Sequence, residues 1–111
     1  MFARISRYEI PTDRLDDAVE AFRAAGGGLS RLDGLVQGYL LVESESGDVV
    51  TTTFWRTRAD AENSRSRASR LRQDAVRAVE GAVQSVVEYE VVTDFSTDED
   101  QFGTPVSSSA V

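Results

Sequence analysis

The chain alternates short β-prone segments with two stretches in which apolar residues recur every three or four positions. Residues 3–10, 35–42, 49–55 and 82–93 have the composition and alternation typical of strands. The helical spacing occupies residues 13–25 and 59–80. The predicted order is therefore β-α-β-β-α-β, with a β-hairpin over residues 35–55.

The first predicted helix has a single apolar stripe and is followed by three glycines. The stripe consists of Leu15, Ala18, Val19, Phe22 and Ala25. We expect Gly26, Gly27 and Gly28 to end this helix, because glycine adopts the left-handed C-terminal conformation without steric cost. A phosphate-binding loop would precede a helix rather than follow one, so the triplet is interpreted as structural.

The second predicted helix presents mainly small residues to the rest of the protein. Thr57 or Asp60 is the candidate N-cap, and Gly81 follows the end of the helix. The inward positions are predicted to be Ala61, Ser64, Ala68, Leu71, Ala75 and either Ala78 or Val79. A helix with such a face either packs unusually close to a sheet or leaves space beside it.

The third predicted strand carries no charge on either face. One face has Val49, Thr51, Thr53 and Trp55, and the other has Val50, Thr52 and Phe54. Both faces are therefore expected to be covered, one of them by the helices. On the last strand, Val83, Val87, Tyr89 and Val91 are assigned to one face and Val86 and Val92 to the other. Glu88 and Glu90 are expected to face solvent.

Length and charge limit the possibilities further. The 111 residues form one domain over residues 1–93, followed by an acidic, serine-rich tail over residues 94–111. The net charge is −7, which argues against nucleic-acid binding. No apolar run is long enough for a membrane helix and no signal peptide is evident, so a cytoplasmic location is expected.

The absence of cysteine and histidine excludes several chemistries. Without cysteine the chain has no thiolate nucleophile, disulfide, iron–sulfur cluster or cysteine-bound zinc. Without histidine it lacks the commonest general base and metal ligand. Neither a metal site nor a cofactor site is therefore predicted.

Seven of the twelve arginines lie between residues 56 and 77. They are interpreted as a solvated helix face paired with nearby acids, with Arg70 and Asp74 at a supporting four-residue spacing. They could also attract an anionic ligand. The acidic tail, if it docks, is expected to dock here.

Four segments resemble one protein family in their order and spacing. They are Tyr8-Glu9-Ile10-Pro11, the run from Asp33 to Tyr39, Phe54-Trp55 before a polar helix start, and Tyr89-Glu90-Val91-Val92. Together they resemble the antibiotic biosynthesis monooxygenase (ABM) domain of the dimeric α+β barrel superfamily. The resemblance implies an α+β, ferredoxin-like subunit with a four-stranded antiparallel sheet, and a homodimer in which two sheets pack face to face.

The resemblance also implies a cavity between sheet and helices in each subunit. Some family members oxidise polycyclic phenols with molecular oxygen and neither a metal nor an organic cofactor, whereas others degrade haem. Trp55 matches the family's tryptophan. The haem-degrading members carry a histidine near the position of Arg65 and an asparagine near that of Ser6, so haem degradation by the usual ligation is not expected.

The candidate site residues follow from this comparison. The candidate catalytic residues are Asn63, Trp55 and Tyr39, and the candidate substrate-binding residues are Phe22, Leu71, Tyr89 and Arg65. Trp55 could stack on a planar ligand, but a core tryptophan is the favoured interpretation. The tyrosines are likewise candidates either for hydrogen bonding to a substrate or for the core or an interface.

Three functional hypotheses remain open from the sequence. The first is a cofactor-independent monooxygenase acting on a small aromatic or phenolic substrate. The second is a non-catalytic structural or stress-associated dimer without an open active site. The third is a partner-binding module whose acidic tail recognises a basic surface.

Overall fold

A computed structural model describes residues 1–96 of the chain. The elements are β1 (Phe2–Glu9), a turn of 3₁₀ helix (Thr12–Arg14), α1 (Leu15–Leu29), β2 (Leu35–Glu43), β3 (Asp48–Trp55), α2 (Arg58–Arg77) and β4 (Ala82–Glu90). The acidic residues 98–100 and the rest of the predicted tail beyond Ser96 lie outside the described part. No helix within residues 1–96 combines the length and apolar character needed to cross a membrane.

The four strands form one antiparallel sheet in the order β2-β3-β1-β4. Both helices pack against the same face of the sheet, and they also contact each other. The predicted α+β, ferredoxin-like βαββαβ subunit is therefore confirmed. Its core is formed by the buried side chains of Tyr8, Ile10, Ala18, Phe22, Val49, Ala75, Val76 and Val79.

The prediction that the triplet Gly26, Gly27 and Gly28 ends the first helix is wrong, because α1 includes all three glycines and continues to Leu29. Glycine permits a helix to end but does not force it to do so. The backbone N–H of Ser30 still donates to the Gly26 carbonyl at 2.9 Å. Gly28 packs so closely on α2 that a Cβ there would lie 3.0 Å from Cδ2 of Leu71. The part of α1 that continues beyond the predicted end therefore packs against Leu71 of α2.

The second helix begins as predicted but ends three residues early. Thr57 is the N-cap, with its Oγ1 accepting from the backbone N–H of Asp60 at 3.0 Å. The helix ends at Arg77 rather than at Glu80. Glu80 adopts a left-handed conformation with φ of 61°, so the chain turns before reaching Gly81.

The face assignment of β4 needs two corrections. A bulge in β4 shifts its pairing with β1, so that Val83 lies opposite Tyr8 on the helix-covered face rather than with Val87. Glu88 pairs with Arg4 and also faces the helices instead of solvent. The strand ends at Glu90, short of the predicted residue 93.

In the described part of the chain, no helix packs on the opposite face of the sheet. Four large side chains on this helix-free face are 41–52% exposed: Tyr39, Leu41, Val87 and Tyr89. The sequence predicts that both faces of the sheet are covered, and within residues 1–96 the helices cover only one of them.

Candidate functional site

A cavity of about 300 Å³ lies between α1 and the sheet. This helix–sheet cavity is lined by Phe22, Gly26, Leu29, Ser30, Leu35, Gly38, Tyr39, Leu40, Thr51 and Thr53. Its volume is at the lower end of the range for small-molecule sites. The lining is mostly apolar, as is typical of small-molecule sites.

Two hydroxyl groups form a polar contact at the edge of the cavity. The phenol oxygen of Tyr8 lies 2.7 Å from Oγ1 of Thr51, and either group can be the donor. Both side chains project from the sheet toward the helices, because Tyr8 and Thr51 lie on inward positions of β1 and β3. Burial raises the pKa of the Tyr8 phenol, so it remains a neutral hydrogen-bonding group near neutral pH.

Arg72 provides a positive charge next to this hydroxyl pair. A narrow crevice lined by Tyr8, Thr51 and Arg72 shares Phe22 and Leu29 with the helix–sheet cavity. Burial lowers the pKa of the Arg72 guanidinium, since the charged form is partly removed from water. Within residues 1–96 no carboxylate forms a salt bridge with Arg72. The crevice therefore contains a partly buried positive charge.

Trp55 lies next to the cavity but is closed off from solvent. Its side chain is 0% exposed, and its indole N–H donates to Oγ1 of Thr53 at 3.0 Å. The guanidinium carbon of Arg4 lies 5.1 Å from the centre of the Trp55 ring, a cation–π contact that covers one ring face. Trp55 is not among the residues that line the helix–sheet cavity.

Arg4 belongs to a buried polar network between β1, β4 and α2. It donates to Glu88 at 2.9 Å, to Oγ of Ser64 at 3.2 Å and to the carbonyl of Ala61 at 2.7 Å. Arg65 donates to the same carboxylate through its Nε, at 3.1 Å. The bond from Arg65, followed by the bond from Arg4, lowers the pKa of Glu88 to about 2.

The structure separates the candidate residues into several locations. Phe22 lines the helix–sheet cavity, whereas Tyr39 borders it from β2 with its side chain on the helix-free face. Leu71 lies against α1. Asn63 is exposed in a separate groove on α2, and Tyr89 lies on the helix-free face. Arg65 has 58% of its side chain exposed and binds Glu88 rather than the cavity. The catalytic and binding roles of these residues stay predictions.

Sequence reasoning overlooked the polar groups that do meet at the cavity, namely Tyr8, Thr51 and Arg72. The alternation that places Trp55 inward also places Thr51 inward, so this threonine could have been identified from the pattern. Arg72 follows the inward Ala68 by four residues, which aligns the two on one helix face. An arginine on the inward face of a predicted helix indicates a buried charge.

The predicted pair between Arg70 and Asp74 is not formed. Asp74 instead lies 3.9 Å from the guanidinium of Arg77. Arg31, Arg67 and Arg70 line the groove that also contains Asn63. Within the described residues there is no group of three acidic side chains that could hold a metal ion.

Comparison with known proteins identifies relatives of this fold. The family model "antibiotic biosynthesis monooxygenase" matches residues 1–78. The structure of Rv0793 from Mycobacterium tuberculosis is similar, with a TM-score of 0.66 and 18% identity over 86% of this chain and 98% of that one. The structure of SnoaB, a cofactor-independent oxygenase from Streptomyces nogalater, has a TM-score of 0.63 and 14% identity over 89% of this chain and 97% of that one. These two structures support the fold. No curated protein sequence matches the chain significantly.

Proposed function

The chain belongs to the antibiotic biosynthesis monooxygenase family, and on this basis we propose that it is a cofactor-independent monooxygenase acting on a small phenolic substrate. The observation that supports this proposal most directly is the helix–sheet cavity, which is apolar along its walls and polar at the Tyr8–Thr51 pair. An aromatic ring would be buried against Phe22 and Leu40. The phenol oxygen of this substrate would contact the hydroxyl groups of Tyr8 and Thr51.

The proposed chemistry requires a substrate anion held out of water. A phenolate can pass an electron to dioxygen, and it can do so without a metal if its charge is stabilised. Hydrogen bonds from Thr51 or Tyr8 and the positive charge of Arg72 would supply that stabilisation. The substrate provides all four electrons when an aryl-flanked CH₂ group becomes C=O. One oxygen atom then enters the product and the other leaves as water.

The proton of the substrate has no obvious acceptor in the cavity. Within residues 1–96 no carboxylate lines the helix–sheet cavity or the crevice beside it. The Tyr8 phenol has a raised pKa and is therefore a donor rather than a base at neutral pH. The substrate would accordingly bind as an anion or lose its proton to water, which favours phenols that are already acidic.

The same proposal includes a homodimer. The helix-free face exposes Leu41, Val87 and two tyrosines on one side of a four-stranded sheet. A second copy of the chain that covers this apolar surface removes it from water, and this stabilises the dimer. Light scattering at micromolar concentration should give twice the mass of one chain. A monomer would contradict the barrel arrangement.

The decisive experiment measures oxygen consumption by the purified protein with a panel of phenols and quinols that carry an aryl-flanked CH₂ group, which is the group that the proposed reaction oxidises. Thr51→Val removes one hydroxyl at nearly constant volume, and we expect it to lower turnover by about ten- to hundredfold. Thr52→Val is the matched control, because Thr52 is the next residue on β3 and points to the opposite face. No consumption above the protein-free rate for any substrate would favour the non-catalytic dimer instead.

A further inference from the structure

A polar groove of about 600 Å³ lies between α2 and the connection from α1 to β2. Three exposed arginines line this arginine groove: Arg31, Arg67 and Arg70. Among the residues that the structure describes, no carboxylate forms a salt bridge with any of the three. Arg23 and Arg77, by contrast, each pair with an acid on their own helix. The arginine groove therefore holds a concentration of positive charge that the described chain does not pair.

The arginine groove also has an acidic end. Asp33 and Asp60 line it, and Gly34, the residue after Asp33, packs against the side chain of Asp60. Asp60 belongs to the first turn of α2, so it lies about 15 Å along the helix from Arg70. An occupant that fits the whole groove is therefore uncharged near the start of α2 and negatively charged further along the helix.

The end of this chain has the charge pattern that the groove requires. Residues 95–97 are uncharged, residues 98–100 are all acidic, and no basic residue occurs from 94 to 111. Carboxylates are the groups that the fork-shaped guanidinium of arginine binds best. Phe102 follows the acids, and the half-buried Leu32 offers it an apolar contact within the groove.

The chain beyond β4 is also long enough to reach the groove, because β4 ends at the edge of the sheet where α2 begins. Phe2 pairs with both Glu90 and Trp55, so the ends of β4 and β3 lie about 10 Å apart. The helix begins three residues after Trp55, and Arg70 lies about 18 Å along it. Asp100 is ten residues beyond Glu90 and can extend about 33 Å from it. A tail that follows α2 passes the acidic end of the groove before it reaches the arginines.

We propose that residues 98–100 dock in the arginine groove of the same chain. Their carboxylates would pair with Arg67 and Arg70 on α2 and with Arg31 on the connection that follows α1. Exposed ion pairs are individually weak. Attachment to the same chain offsets this weakness, because it gives the tail an effective concentration on the order of millimolar.

The docked tail would also cover one border of the helix–sheet cavity. Residues 31–33 line the arginine groove, and Ser30 and Leu35, on either side of them, line the cavity. The connection between α1 and β2 is thus shared by the two sites. Its position relative to the cavity would depend on whether the tail is docked.

Paramagnetic relaxation enhancement in the full chain tests the docking. The chain contains no cysteine, so Gln101→Cys introduces a single thiol for a nitroxide label. At low salt we expect the strongest broadening of amide signals at residues 31–33 and 63–70. The broadening there should be lost in about 1 M salt, where the screening length is about 3 Å. A tail that does not dock would broaden signals near Glu90, its point of attachment, most strongly.

Paired substitutions test the role of the groove arginines. Arg67→Gln with Arg70→Gln should lower the ratio of docked to free tail by about tenfold, as expected for two lost surface ion pairs. Arg23→Gln with Arg56→Gln is the matched control, because it removes two exposed arginines outside the groove and changes the net charge equally. The control should keep the wild-type broadening. Replacing the acids at 98–100 with their amides should have the same effect as changing the groove arginines.

The results decide between docking and a free tail without any measurement of oxygen consumption. Broadening centred on Glu90 in the wild type would overturn the proposal, as would equal broadening of the groove in the Arg67/Arg70 variant and the control. A mixed sample tests whether the docking is intramolecular: one chain carries the nitroxide and the other carries the isotope label alone. Broadening of the groove in that sample would place the tail on another chain and overturn the intramolecular arrangement.

Discussion

Glu88→Gln tests the buried network that joins β4 to β1 and α2. The substitution removes the charge but keeps an oxygen that can accept from Arg4, so packing changes little. Arg4 is 2% exposed and keeps its bonds to Ser64 and Ala61, yet it loses its buried counter-charge. Leaving a buried charge uncompensated is strongly destabilising.

The pKa of Glu88 gives the size of the effect. It falls from an ordinary value of 4.5 to about 2 in the folded protein, a difference that corresponds to about 3 kcal/mol. The Glu88 side chain is 22% exposed, and solvent screening reduces the expected contribution to about 2 kcal/mol. Glu88→Gln should therefore lower the free energy of unfolding at pH 7 by about 2 kcal/mol.

The pH dependence identifies the cause. Because the folded-state pKa is lower than the unfolded one, ionised Glu88 stabilises the fold above pH 4.5 and loses this effect as pH falls toward 2. At about pH 3 the difference between wild type and variant should fall to less than half of its value at pH 7.

Urea denaturation followed by tryptophan fluorescence measures both values, since Trp55 reports on the same region. Glu90→Gln is the control: Glu90 is exposed two residues along β4, and it forms no salt bridge within residues 1–96. This control should lose little stability at either pH. If the difference in free energy of unfolding between wild type and Glu88→Gln stays constant from pH 7 to pH 3, altered packing rather than lost charge causes the destabilisation. That result would refute the reasoning.

Three further predictions concern the helices and the cavity. Thr57→Ala removes the N-cap bond to Asp60 and should lower the free energy of unfolding by about 1 kcal/mol. Thr57→Ser keeps the hydroxyl and should retain most of this stability. Equal losses for the two variants in chemical denaturation would contradict a capping role. Gly27→Ala should raise the free energy of unfolding by about 0.5–1 kcal/mol, because Gly27 is exposed within α1 and its Cβ meets nothing; an unchanged melting temperature would argue against a helical conformation there. Turnover of a phenol should rise with pH through the pKa of the substrate itself, so two phenols of different acidity should give different midpoints in an oxygen electrode; one shared midpoint would instead indicate a titrating group of the protein.

The candidate site was only partly predictable from the sequence. Phe22 was identified because a helical apolar stripe depends only on spacing along the chain. Tyr39 was predicted through the family resemblance, but its side chain lies on the helix-free face. Thr51 and Arg72 were overlooked, because their importance depends on which polar groups meet across β1, β3 and α2. No pattern of neighbouring residues along the chain indicates which polar groups come together in the folded protein.

The amino-acid sequence alone determined the order of strands and helices and the βαββαβ subunit, because periodicity acts over a few residues. It left the cap of α2 open between Thr57 and Asp60, and the structure selects Thr57. The tertiary structure decided that α1 continues past Gly26, that a bulge in β4 places Val83 on the helix-covered face, and that Glu88 points inward. Each of these depends on contacts between residues far apart in the chain. The cavity has the same origin, since it is the space that remains once α1, α2 and the sheet have packed together.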